Sequence, residues 1–461
     1  MSPRRRIASL SVASAVAIGL IVAIGVAPPV TADPCEGAAA DAQPSPEQAF
    51  RLPNPGTHVF GPIGHRPAGA NASAPLPKLG LLPLAVLNAI APRSAQMQHQ
   101  AAVVPPPTPR GNQPPPNPAQ PVPNAAAAQP QPAPGPDLNG PAPTSIVGWV
   151  TGPDSPNETI KRFAVSGTDL GIMWDSGGQV LMAFGDTSGF CMIPGHQWRY
   201  NVLMRSADRS LSNTINVASS PALRPGISKQ IINTIKAAPD ETGIIPTAGI
   251  SVGGTQYLNF MSIKSWDSNG AWSTNFSAIA MSQDNGQTWA VYPRTVRTPG
   301  GGNENFQQGA FVRPGDGYVY SYGTPPGRGG SVFLTRVPQG FVPDLTKYEY
   351  WNSDGNAWVP NNPSAARPVI PGPVGELSAQ YNTYLKKYLV LYCNGGNDVV
   401  ARTAPAPQGP WGPEQVLVSS FSIPGGIYAP FLHPWSTGKD LYFNLSLWSA
   451  YNVMLMHTVL P

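Results

Sequence analysis

The chain has 461 residues, 57 of them Pro and 48 Gly, with 11% charged and a net charge of +4. With roughly one position in eight a Pro, a mainly helical protein is excluded, because each interior Pro costs a helix about 3 kcal/mol. The small charge, with no Lys/Arg cluster beyond the first residues, excludes a nucleic-acid footprint, and three Cys exclude a disulfide framework or a structural zinc site.

Arg4, Arg5 and Arg6 precede an uncharged apolar stretch from Ile7 to Ala27, and Val30-Thr31-Ala32 places small residues just before Asp33. That order predicts a secretory signal over residues 1–32. The apolar run is about as long as a membrane span needs, so an uncleaved anchor is the competing reading. Either way the rest of the chain lies outside the cytoplasm, secreted or associated with the cell wall, and once the signal is cleaved no stable membrane span is expected. Residues 33–144 form a second region. Roughly 30 of the 57 Pro lie before residue 144, densest between Pro105 and Pro143, among Ala, Gln and Asn with almost no charge. This composition cannot bury apolar surface and predicts a disordered, extended linker. At about 3.1 Å per residue it would reach on the order of 100 Å, as a spacer through a cell wall or simply as an unselected tether. Leu79 to Ile90 is the one stretch in it with the pattern of a short apolar helix.

From Ser145 onward short runs of Val, Ile, Tyr, Phe and Trp alternate with Gly, Asn, Asp and Pro turns, which predicts an all-β domain over 145–461. Within it a strand–turn–strand unit recurs. Thr168–Trp174 turns into Val180–Gly185, Thr247–Val252 into Gln256–Met261, and Gln308–Val312 into Tyr318–Gly323. Glu376–Tyr381 turns into Tyr388–Tyr392, and Tyr428–Leu432 into Leu441–Leu445. Each unit is followed by further strand-like sequence, and four-stranded sheets repeated radially make a propeller. Five units predict five blades, in a chain expected to be a monomer. Ser282–Trp289 resembles the Asp-box hairpin of propellers such as sialidases. There Asp284 bonds turn amides, Gly286 takes φ > 0 and Trp289 packs on the hairpin, a structural role with no catalysis.

The innermost strand of each blade lines the central channel, so the residues that start the five units point to one mouth. Two starts are acidic, Asp169 and Glu376; Thr247, Gln307 or Gln308, and Tyr428 occupy the others. A hairpin turn at Gly177-Gly178 fixes a register that sets Asp169 directly opposite Asp186. Like charges facing at ~4.5–5.5 Å between Cβ atoms are destabilising, which suggests a use, unless one Asp caps the turn and the other faces solvent. Paired carboxylates with separated pKa values are what glycoside hydrolysis requires. Glu376 would add an acid or a pKa-setting charge from another blade, or else only a bond to a neighbouring strand. Trp198 and Arg199, and Arg328 in Pro326-Gly327-Arg328-Gly329, are candidates for a sugar platform and hydroxyl donors, with an ordinary surface charge as the plainer reading. The register favours the shorter carboxyl separation, ~5–5.5 Å rather than ~6.5–9.5 Å.

The run Asn305–Val312, then Asp316–Tyr320, Gly327-Arg328, Phe333–Val337 and Tyr348–Trp351, resembles the actinobacterial domain of unknown function 4185. Asp169-Leu170-Gly171, Phe184–Thr187, Ile245–Thr247 and Glu376–Asn382 match the same pattern, so the resemblance spans about residues 145–461. It implies a five-bladed propeller. It also implies kinship with glycoside hydrolase family 183, members of which cut internal linkages in the D-arabinan of arabinogalactan and lipoarabinomannan. Carried over position by position, it puts the catalytic carboxylates at Asp169 and Asp186. A cell-wall polysaccharide is the expected partner. A propeller that holds glycan without cutting it, or a rigid protein-binding platform, are the alternatives.

No G-x-S-x-G elbow, H-E-x-x-H pair or phosphate-binding loop is present, and the six His show no metal spacing, so neither cofactor nor metal is expected. Cys191 and Cys393 fall in different repeats that are not adjacent, and their pairing after export stays open.

Overall fold

Each of the five repeats folds as the hairpin that its alternation and turn residues dictate, and each extends into a sheet. The computed structural model describes residues 135–461 apart from 139, 141, 190–198, 234–239 and 267–270. The signal, the Pro-rich linker, the Leu79–Ile90 segment, Trp198, Cys35 and the Cys191–Cys393 pairing therefore lie outside the described residues.

The fold is an all-β propeller of five blades. Their innermost strands are Leu170–Asp175, Gly243–Val252, Gln308–Val312, Leu377–Asn382 and Ile427–Leu432. Each pairs antiparallel with the strand that follows it. The five stand side by side in a closed ring, and residues from all of them, including Trp174, Ile250, Val312, Gln380 and Leu432, line the channel between them. Blade three is the widest, extended by Glu349–Asn352 and Ala357–Pro360. Blade five is completed from the other end of the domain: Thr144–Trp149 pairs with Asn452–Val459 as its outermost strand. That single sheet closes the ring without a covalent link.

The core lies between blades. Trp174 and Leu181 of blade one pack with Leu258 and Phe260 of blade two, while Leu389 and Leu391 of blade four pack with Phe443 and Leu445 of blade five. The Asp-box sits at the junction of blades one and two. Asp284 Oδ1 accepts from the Thr288 amide and the Ser282 hydroxyl, both at 2.8 Å, Gly286 takes φ 78°, and the Trp289 indole donates to the Gly286 carbonyl. Trp289 meets Trp174 edge-on at 6.4 Å. The motif is a structural clasp, as its chemistry predicts.

One predicted detail of the first hairpin is corrected. The register runs as expected from Asp175–Val180 to Ile172–Ala183, then slips, so that Leu170 faces Phe184. The slip is a bulge at Leu170 and Gly171, which take φ 70° and 73°. A Leu in that region costs about 1–3 kcal/mol. Blade five holds it there: Ser446 Oγ accepts the Leu170 amide at 2.9 Å, and Asn444 Nδ2 donates to the Gly171 carbonyl at 2.8 Å. A Cβ on Gly171 would lie 2.7 Å from that same Asn444 nitrogen. In consequence the Gly185 amide donates to the Asp169 carbonyl at 3.2 Å, and because the expected register returns at the Gly167–Ser188 bridge, Asp169 stands opposite Gly185 and Asp186 together rather than squarely opposite Asp186.

Candidate active site

Strand direction decides what reaches the mouth. Asp169 leads the first inner strand, Asp186 follows its partner Val180–Phe184, Thr247 sits at a bulge midway along the second inner strand, and Gln308 starts the third. Glu376 immediately precedes the fourth inner strand, and Arg328 comes from the loop that joins Tyr318–Thr324 to Gly330–Pro338. All six line one cavity at this end of the channel. Its space open to water is about 40 Å³, room for roughly three water molecules.

Three of these groups are tied together. The Arg328 guanidinium grips Glu376 as a fork, Nε to Oε2 at 3.0 Å and Nη2 to Oε1 at 2.6 Å. It lies over the rings of Trp272 at 5.0 Å and Tyr428 at 5.3 Å. Gln308 fixes the loop that carries it, donating from Nε2 to the carbonyls of Pro325 at 2.8 Å and Gly327 at 2.7 Å. A bidentate, ring-flanked guanidinium is a rigid element, in contrast to an exposed loop arginine.

Asp169 is 9% exposed, and burial pushes its carboxyl up to about 7. The Tyr428 hydroxyl, donating to Oδ2 at 3.0 Å, opposes that rise. The Glu376 charge adds to it and Arg328 opposes it, both more weakly. The other oxygen, Oδ1, is buried and has no hydrogen-bond partner among the described residues. An unbroken register would assign the rise to Asp186 facing Asp169 directly; the bulge loosens that opposition, and burial supplies the rise instead. Asp186 is 2% exposed, with its main-chain carbonyl held by the Tyr451 hydroxyl at 3.0 Å. The pocket therefore holds a carboxyl that keeps its proton near neutrality and a second carboxyl group on the same wall. It can deliver a proton from Asp169 to a bond lodged in the cavity, beside the second carboxyl group.

Three expected residues among those described do not line the cavity. Arg199 is wholly buried, donating from Nη1 to the carbonyls of Ser228 at 2.8 Å and Phe163 at 3.3 Å and from Nη2 to that of Ala164. It ties the short helix Thr159–Phe163 to blade one, and burial without a carboxylate partner brings it down to about 9. Gln307 is also wholly buried; it accepts from Thr274 Oγ1 at 2.8 Å and donates to the carbonyls of Arg297 and Asn303. Gln307 caps the 3-10 turn Asn303–Phe306 with helical dihedrals and points into the space between blades, while Gln308 begins the strand and faces the cavity. Tyr428 stands behind Asp169, edge-on to Trp448 at 5.3 Å, as support for the acid rather than as wall.

Sequence reasoning missed the aromatic wall. Trp266, Trp272 and Trp448 line the cavity, the first two in contact at 5.8 Å. Trp266 ends one strand of blade two and Trp272 starts the next, bracketing residues 267–271 and pairing directly opposite each other. That bracketing was the available signal. Among the described residues no group of three or more His, Cys, Asp or Glu is placed to hold a metal ion.

The chain is similar to notoamide biosynthesis cluster protein J of Aspergillus sp. (strain MF297-2), 28% identical over 64% of this chain and 82% of that protein. It is also similar to protein J' of Aspergillus versicolor, 30% identical over 64% of this chain and 84% of that protein. Among solved structures, an exo-β-1,3-galactanase from Phanerochaete chrysosporium overlaps 68% of this chain and 64% of its own, at 9% identity and a TM-score of 0.42. A GH43_1 enzyme from Xanthomonas citri overlaps 66% of this chain and 88% of its own, at 11% identity and a TM-score of 0.40. Residues 154–457 match the model of the family described as domain of unknown function (DUF4185), and the chain belongs to that family.

Proposed function

We propose that the protein is an exported glycoside hydrolase that cleaves D-arabinofuranosidic linkages in cell-wall arabinan. The observation that carries the reaction type is the Asp169 carboxyl, held at about 7 in a cavity that Asp186 also lines. Protonated Asp169 donates from the side of Oδ1 to the leaving glycosidic oxygen. Asp186 meets the positive charge that develops at the sugar carbon, directly or through a water. Glu376, gripped by Arg328, contributes charge rather than a proton. The narrow enclosed space suits the reacting edge of one sugar residue, with the rest of a chain lying across the mouth.

The substrate rests on the motif resemblance to family 183, since the names of the fungal relatives point elsewhere, to a notoamide biosynthesis cluster. The signal and Pro-rich linker support action at the cell wall. Incubating the secreted protein with purified arabinogalactan and analysing released oligosaccharides tests the proposal. Asp169→Asn and Asp186→Asn should each abolish release, and undiminished release by either variant rejects the assignment. Tight binding of arabinan without release by the native protein would instead identify a glycan-binding propeller.

A further inference from the structure

We infer that the mouth is a subsite for one neutral, polyhydroxylated ring, recognised through the indole N–H groups of Trp266, Trp272 and Trp448, and closed to acidic sugars. The inference rests on the saccharide reading of this site, though not on catalysis.

The three indoles line the cavity, and the Nε1 atom of each is buried with no hydrogen-bond partner among the described residues. Trp272 is 8% exposed and Trp448 4%, and the few waters the cavity admits are those a ligand would displace. Buried donors are nearly always paired, and an unpaired one forfeits the bond it makes in water. Three such donors around one cavity are explained by a ligand that brings acceptors. An acceptor in the same cavity is in the same condition, Oε1 of Gln308, which is 2% exposed. The missing partner must therefore donate as well as accept. A hydroxyl does both, whereas a carboxylate or phosphate only accepts.

Charge points the same way. Three carboxyl groups, Asp169, Asp186 and Glu376, line the cavity, and the guanidinium among its lining residues, Arg328, is engaged with Glu376. An anionic ligand therefore meets carboxyl groups and no unengaged cation among the described lining residues, so its charge goes uncompensated. Ile245, Met261 and Phe431 complete the wall with apolar surface suited to the C–H face of a sugar ring.

The test uses full-length protein with 15N-labelled indoles. It is titrated at pH 7 with two neutral probes, a linear D-arabinofuranose tetrasaccharide and xylotetraose, and with tetragalacturonate as the acidic probe. At least one neutral probe should move the indole resonances of the three Trp, assigned through Trp→Phe variants. Trp272→Phe and Trp448→Phe keep a ring and remove the donor, so each should weaken binding of that probe about 10-fold. Tetragalacturonate should bind at least about 10-fold more weakly. The inference is overturned if the indoles stay still with both neutral probes, if both Phe variants bind within about twofold of the native protein, or if the acidic probe binds as well. Should one variant fail to fold, the other and the native indole resonances decide. Moving indoles without product release would reject the hydrolase reading and leave this one standing; arabinan cleavage with unmoved indoles would do the reverse.

Discussion

Tyr428 reaches from blade five to the head of blade one and donates its phenolic hydrogen to Oδ2 of Asp169 across 3.0 Å. The bond favours the carboxylate, against the burial that favours the acid. It also orients the carboxyl so that Oδ1 is the oxygen left for the mouth.

Tyr428→Phe removes the largest influence holding Asp169 down, so its carboxyl should rise further above about 7. The alkaline limb of the pH–rate profile, where a general acid loses its proton, then moves to higher pH. Loss of orientation should lower kcat about 10-fold, near the worth of one hydrogen bond to a charged group. Rates on arabinogalactan from pH 4 to 9 check this, and a limb that stays in place separates Asp169 from the acid role.

The same carboxyl burdens the fold. Its folded-state value of about 7 lies above the ordinary 3.8, so folding favours the protonated form. That contribution is complete below about pH 4 and is lost as the pH rises through about 7. Asp169→Asn keeps the shape and cannot ionise. At pH 8 it should be more stable than the native protein by roughly 1–4 kcal/mol, since each tenfold change in proton affinity is worth about 1.4 kcal/mol. At pH 4 the two should melt alike. Thermal melts at the two pH values distinguish this from a merely tolerated substitution.

The features legible in the sequence and those that were not differ in range. The five inner hairpins follow from alternation and turn residues within about ten positions, and the Asp-box clasp from one short run of neighbours. Asp169, Glu376 and Gln308 could be placed because each stands at the start of an inner strand, whereas Thr247 reaches the cavity from a bulge midway along Gly243–Val252. The bulge at Leu170 and Gly171 could not, because Ser446 and Asn444, at the other end of the domain, impose it. Trp448 reaches the mouth, beside blade one, from the end of Asp440–Leu447 in blade five, a contact between the two ends of the domain. Arg199 and Arg328 look alike beside their neighbours. Only the packed structure shows that one meets backbone carbonyls and the other Glu376.

Glu376→Gln separates the charge of Glu376 from its shape. The pair is mostly buried, with side-chain exposures of 26% for Arg328 and 11% for Glu376. Leaving the guanidinium without its carboxylate should cost about 2–4 kcal/mol, discounted for that partial exposure. Asp169 loses a charge that raises it and keeps the Arg328 charge that lowers it. The alkaline limb should therefore move to lower pH, opposite to the effect of Tyr428→Phe. Arg328→Met added to Glu376→Gln should restore part of both the stability and the limb, which a double-mutant cycle measures.

Gly185 tests the geometry of the acid without touching a polar group. Its φ is not in the left-handed region, so its backbone suits alanine, and the obstacle is space. A Cβ there would lie 2.4 Å from Asp169 Oδ1 and 3.0 Å from Leu170 Cδ1. Gly185→Ala must push the carboxyl aside, and a displacement near 1 Å at a reacting group costs about 100-fold in rate. The stability loss should stay within about 1–3 kcal/mol, because the neighbour that gives way is largely a side chain. Gly300 is the control, with nothing within 4 Å of its Cβ position, and Gly300→Ala should change neither rate nor melting. Native activity in Gly185→Ala would mean that the place of Oδ1 is immaterial to the reaction, and Asp169 would then have no claim to the proton.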